Sequence, residues 1–128
     1  MKYYFEKLVD GPFDEVVGKV REALAREGFG VLTEIDVQAT MKKKLNVDFP
    51  RYLILGACNP PFAHKALLVE NKIGAMLPCN VVVQEMIDGK VEIAAVDPVA
   101  SMQAIENQGL ADIAGEIRGK LQRTVESL

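Results

Sequence analysis

The chain is predicted to be a single α+β domain, residues 1–128, built on an antiparallel sheet with helices packed on it. Three observations carry this. Two long segments near opposite ends repeat apolar residues at helical spacing. The segments between them are rich in β-branched residues or alternate at period two. Asp88-Gly89, a hairpin signal, joins two of those segments and makes that pairing antiparallel.

Tyr3 to Val9 alternates apolar and charged residues and reads as the first strand, stopped by Gly11-Pro12. Pro12 suits the first position of a helix, and Asp14 and Glu15 suit its positive end. Phe13, Val16, Val17, Val20 and Leu24 then form one buried stripe, and Gly28 is placed to end the helix in a left-handed cap. Phe29 to Val37 returns to period two, with Phe29, Val31, Ile35 and Val37 assigned to one face and Glu34 and Asp36 to the other. A short helix is expected from Gln38 to Leu45. Tyr52 to Cys58 is a strand apolar on both faces, so either both are covered or one lines a pocket. Pro60-Pro61 opens a helix to about Val69.

Cys79 to Met86 and Lys90 to Val96 form the hairpin, and Asp97-Pro98 closes it into a loop or short helix. Gly109 to Leu128 is the second long helix, with its stripe at Leu110, Ile113, Ala114, Ile117, Leu121, Val125 and Leu128. Gly115 and Gly119 fall on the opposite side. They fit an exposed helix face, or the close approach of another chain. The expected core is Val16, Val20, Leu24, Val31, Ile35, Ile54, Val81, Val83, Ile93 and Ile117.

Composition narrows the function classes. With 49% apolar and 26% charged residues, the chain has the balance of a soluble globular domain. A net charge of −3 argues against nucleic-acid binding, and the short basic run Lys42-Lys43-Lys44 is flanked by acids. The N-terminal run from Met1 to Glu6 lacks the apolar core of a signal peptide, and no stretch is long and apolar enough to span a membrane. A cytoplasmic protein with reduced thiols and no membrane or nucleic-acid partner is the expectation.

Chemistry concentrates around the two cysteines. Cys58 ends an apolar run and Cys79 begins another; each is followed by asparagine, and His64, the only histidine, lies six residues after Cys58. Asn59-Pro60 fits an N-cap and first helical position, which would set Cys58 before a helix N-terminus, where a thiolate is favoured; burial would oppose this. If the strands ending at Cys58 and starting at Cys79 pair antiparallel, both cysteines share one sheet edge. Four readings stay open. The cysteines are small buried hydrophobes with His64 on the surface; Cys58 is a redox or nucleophilic thiol; Cys58, His64 and Cys79 hold a metal or haem; or Cys58, Asn59, His64, Cys79 and Asn80 contact a small ligand. Asn59 and Asn80 also suit satisfying backbone groups at turns. Glu34 and Asp36 share a strand face, which is a solvated outer face or, beside a groove, an acid–base pair.

Three runs carry a resemblance: Gly28-Phe29-Gly30-Val31-Leu32-Thr33-Glu34-Ile35-Asp36-Val37-Gln38-Ala39-Thr40, Ile54-Leu55-Gly56-Ala57-Cys58-Asn59-Pro60-Pro61 with Ala63-His64, and Leu77-Pro78-Cys79-Asn80-Val81-Val82-Val83. Together they resemble the bacterial and archaeal family known as domain of unknown function 302, over essentially the whole chain. The resemblance implies a curved antiparallel sheet with long helices in a TATA-binding-protein-like order, β-α-β(4)-α, with short helices inserted here. It also implies a small cytosolic homodimer. It supplies no activity and names no cofactor. The leading functional expectation is a small-ligand-binding module with its cavity near Cys58, His64 and Cys79. The alternatives are a thiol-based redox enzyme or sensor using Cys58, and a structural homodimer without chemistry.

Overall fold

The structure, a computed structural model, describes residues 2–128; Met1, the first residue of the N-terminal run, lies outside them. The elements are β1 (Tyr4–Val9), α1 (Phe13–Arg26), β2 (Gly30–Asp36), α2 (Val37–Leu45), β3 (Tyr52–Cys58), α3 (Pro60–Val69), a 3-10 turn (Ile73–Met76), β4 (Cys79–Glu85), β5 (Val91–Val96), α4 (Pro98–Met102) and α5 (Gln108–Glu126). The five strands form one antiparallel sheet in the order β1-β5-β4-β3-β2. This is the expected α+β class, and all four middle strands lie between the two long helices.

The helices form where local chemistry starts and stops them. Phe13, Val16, Val20, Ala23 and Leu24 make the buried stripe of α1. Gly28, with φ at +86°, lets the Phe29 N–H reach Leu24 O (2.9 Å) and the Gly28 N–H reach Ala25 O (3.0 Å). That pairing turns the chain at once into β2 and drops the Phe29 side chain into the interior. Asn107 caps α5 by accepting from the Leu110 N–H, and its amide donates to Val69 O at 2.8 Å, tying the start of α5 to the end of α3.

Leu53, Leu55 and Ala57 of β3, Val81 and Val83 of β4, and Val91, Ile93 and Ala95 of β5 face the stripes of α1 and α5. The alternate residues Ile54, Asn80, Val82, Gln84, Glu92 and Ala94 lie on the other face of the sheet, away from α1 and α5. Two expected core residues sit on that face. Ile54 is half-buried and Ile35 is 49% exposed. Between Val31, opposite Ala57, and Thr33, opposite Gly56, β2 carries a β-bulge. The extra residue shifts the side-chain phase by one, so Val31 packs against the core while Ile35 pairs with Ile54 outside it. The same shift turns Glu34 to the helix side, where it pairs with Arg21 of α1, and Asp36 caps α2 by accepting from the Ala39 N–H. Glu34 and Asp36 thus serve separate structural contacts.

Candidate functional site

The interior divides into two apolar clusters. The main one joins the sheet to α1 and the C-terminal half of α5. A smaller one gathers Ala66, Ile73 and Leu110 with Leu77, Met102 and Ile105. A cavity of about 310 Å³ occupies the seam between them. Its walls come from Phe29, Ala57, Phe62, Cys79, Ala114 and Ile117, among others, on β2, β3, β4, α3, α4, α5 and the segments joining them. No Asp, Glu, Lys or Arg lines it. Leu32, the bulged residue of β2, is 69% exposed and Leu67 of α3 is 44% exposed, so the cavity opens to solvent past an apolar rim.

The floor is set by how β3 and β4 end. Cys79 is the cross-strand partner of Ala57, so both face the helices and the cavity. Pro78, joined to Leu77 by a cis peptide bond, lies against Gly56: a Cβ at Gly56 would sit 2.7 Å from Pro78 Cγ and 2.0 Å from Thr33 Oγ1. At β5, buried Asp97 accepts from the Val99 N–H and from Arg118 Nε, both at 3.0 Å, and so fixes Pro98 in the cavity wall.

The structure brings together some of the candidate residues and separates others. Cys58, Asn59 and Cys79 line the cavity; His64 and Asn80 do not. His64 is exposed on α3, on the side away from Ala63 and Ala66. Asn80 is exposed and belongs to the opposite sheet face. Asn59 is buried at the N-cap position of α3 but does not cap it. Its amide donates instead to Glu27 O at 3.1 Å, beside Gly28, so it satisfies a carbonyl at the end of α1. Both cysteines are free thiols. They are not cross-strand partners, since Ala57 faces Cys79 and Gly30 faces Cys58. Burial, with a smaller contribution from neighbouring Cys58, pushes the Cys79 thiol up to about 11, so it stays protonated at neutral pH. Cys58 is half-buried. Among the described residues no group of three or more His, Cys, Asp or Glu side chains could hold a metal ion, and Cys58, His64 and Cys79 do not form one.

Most of the lining escaped sequence reasoning. Leu110, Ile113, Ala114 and Ile117 are visible as the α5 stripe, but a stripe facing a cavity reads the same as one facing a packed core. Phe62, Ala66 and Met102 carried no distinguishing signal.

Fold and site define a compact α+β domain with an apolar, half-open cavity. The chain matches the family model "Domain of unknown function DUF302" over residues 5–128 and belongs to that family. It is 28% identical over 94 residues to an uncharacterized protein of Aquifex aeolicus (strain VF5). That match covers 73% of this chain and 59% of the relative, so the chain spans somewhat over half of the relative's length. The crystal structure of an uncharacterized conserved DUF302 protein from Bacillus stearothermophilus superposes with a TM-score of 0.90 at 28% identity, covering 98% of each chain. No helix among the described residues is long and apolar enough to cross a membrane.

Proposed function

We propose that the protein is a binding module for a small apolar ligand held in the cavity between α3, α5 and the β3–β4 edge. The observation that carries this is the cavity itself. At about 310 Å³ it reaches the lower end of the range for small-molecule sites. Its apolar wall keeps one neutral thiol, Cys79, and one buried amide, Asn59, within reach of a ligand. Filling it with about ten atoms, at roughly 30 Å³ each as for water in the liquid, would remove apolar surface from water at both partners. Calorimetric titration with 1-decanol tests the reading. Saturable binding to the wild type, lost in Ala114→Leu, which extends a side chain into the cavity, supports it. Absence of binding to the wild type, or binding unchanged in Ala114→Leu, rejects it.

A second reading rests on Cys58, whose half-buried thiol lies at the cavity wall just before the N-terminus of α3. As a reactive thiol it would alkylate faster than free cysteine at neutral pH, with the label lost in Cys58→Ser. Slower labelling removes this reading. We also propose that two copies pair, because the sheet face away from α1 and α5 presents Leu8, Ile35, Ile54 and Val82. Light scattering that gives only the monomer mass over a wide concentration range contradicts that pairing.

A further inference from the structure

Two lysines lie beside the cavity wall. Phe62, half-buried in the first turn of α3, forms part of the cavity wall and packs on the main core. Lys65 Nζ, one turn along α3, lies 5.3 Å from the centroid of the Phe62 ring. Lys120 Nζ, from α5, lies 5.7 Å from the same centroid. Two cations from different helices therefore converge on one aromatic wall residue. The ion pairs among the described residues involve Lys2, Arg21, Lys42, Arg51, Arg118 and Arg123, and neither Lys65 nor Lys120. The ring holds each ammonium by its π face, a weak attraction at a partly exposed site. An anion placed beside Phe62 would be attracted to both ammonium groups.

On the cavity reading above, we infer that the ligand is an anionic amphiphile. A single acyl chain lies in the cavity, and a carboxylate or phosphate head outside it is held by Lys65 and Lys120 beside Phe62. The two halves of the site match the two halves of such a molecule. The cavity wall carries no charged side chain, so a charged group inside it would be desolvated without a partner. A head beside Phe62 stays in partial contact with water and meets two ammonium groups whose apolar stems run along the same surface. A chain of about ten atoms matches this volume, at roughly the 30 Å³ a water molecule takes in the liquid for each. Neutral, anionic and cationic molecules of the same chain length should therefore be ranked by head alone.

The test is calorimetric titration of the wild type and Lys65→Gln/Lys120→Gln with 1-decanol, decanoate, decyl phosphate and decyltrimethylammonium. At low ionic strength the wild type is expected to bind decanoate about tenfold more tightly than 1-decanol, each partly exposed charge contact contributing a few-fold. Decyltrimethylammonium should bind more weakly than 1-decanol. The double variant should bind 1-decanol as the wild type does and lose the preference for the anion, as should the wild type at high salt. Decyl phosphate binding more tightly than decanoate assigns the head as phosphate, and the reverse order assigns it as carboxylate; both support the inference. Equal affinity for decanoate and 1-decanol, or a preference that survives Lys65→Gln/Lys120→Gln, overturns it while leaving the cavity reading intact. Failure of all four molecules to bind overturns both.

Discussion

Replacing Gly56 with alanine adds one methyl group and should destabilise the protein, although glycine is a poor strand residue. In an ordinary strand interior the change would be favourable by roughly 0.5–1 kcal/mol, because alanine loses less backbone freedom on folding. At Gly56 the new Cβ would sit 2.0 Å from Thr33 Oγ1 and 2.7 Å from Pro78 Cγ. Thr33 is β-branched and stiff at χ1, and Pro78 is a ring, so neither yields by a simple rotation. Overpacking of this kind costs typically 1–3 kcal/mol. Net of the backbone gain, Gly56→Ala should cost about 1–2 kcal/mol, which lowers the melting temperature by roughly 4–8 °C for a domain of this size. Pro78 also lines the cavity and precedes Cys79, so the displacement should reach the site. The assay is urea unfolding of wild type, Gly56→Ala, Thr33→Ala and the double variant. Thr33→Ala removes the closest atom, so the two changes should couple, with the double variant recovering part of the loss. A neutral or stabilising Gly56→Ala would refute the packing of Thr33 and Pro78 on this glycine.

Other consequences follow from the same geometry. Gly115 in α5 has nothing within 4 Å of an added Cβ, so Gly115→Ala should stabilise the protein by up to about 1 kcal/mol in thermal unfolding; a loss would show that something packs on that face. The Cys79 thiol ionises near 9 when unfolded and about 11 when folded, so its stability contribution is intact below pH 9 and falls as pH rises toward 11. That loss should reach about 2–3 kcal/mol at roughly 1.4 kcal/mol per unit, and Cys79→Ala should show a correspondingly flatter stability profile over the same window. Asn59→Ala leaves Glu27 O without its donor and should cost about 1–3 kcal/mol in urea unfolding; a change within error would show that the amide is replaceable.

The sequence made the elements legible because each had a local cause. The α1 and α5 stripes, Gly28, the Asp97-Pro98 turn and Asp88-Gly89 all act within a few residues of themselves. Period two assigns Ile35 to the core because it is blind to the bulge at Leu32. Whether Ile54 or Leu55 faces the helices is decided by which face α1 and α5 pack on. Asn59-Pro60 reads as a cap for α3, yet the Asn59 side chain serves the carbonyl of Glu27, far away in the sequence. The cysteine region did lead to the site, since Cys58, Asn59 and Cys79 border the cavity. The remainder of that site is the seam between two apolar clusters, and its residues look like any other core in one dimension. Lys65 and Lys120, 55 positions apart, meet only through the packing of α3 on α5 against Phe62.

The proposed ligand site is the seam between the two apolar clusters, and the alternative is an imperfection of packing there. Methyl-resolved NMR during a titration with 1-decanol tests it residue by residue. Saturable shifts are expected at Ala57, Ala66, Ile113, Ala114 and Ile117, with little change at Val82 and Ala94 on the opposite sheet face. Shifts confined to Val82 and Ala94, or no saturable shift at the five cavity methyls, would contradict it.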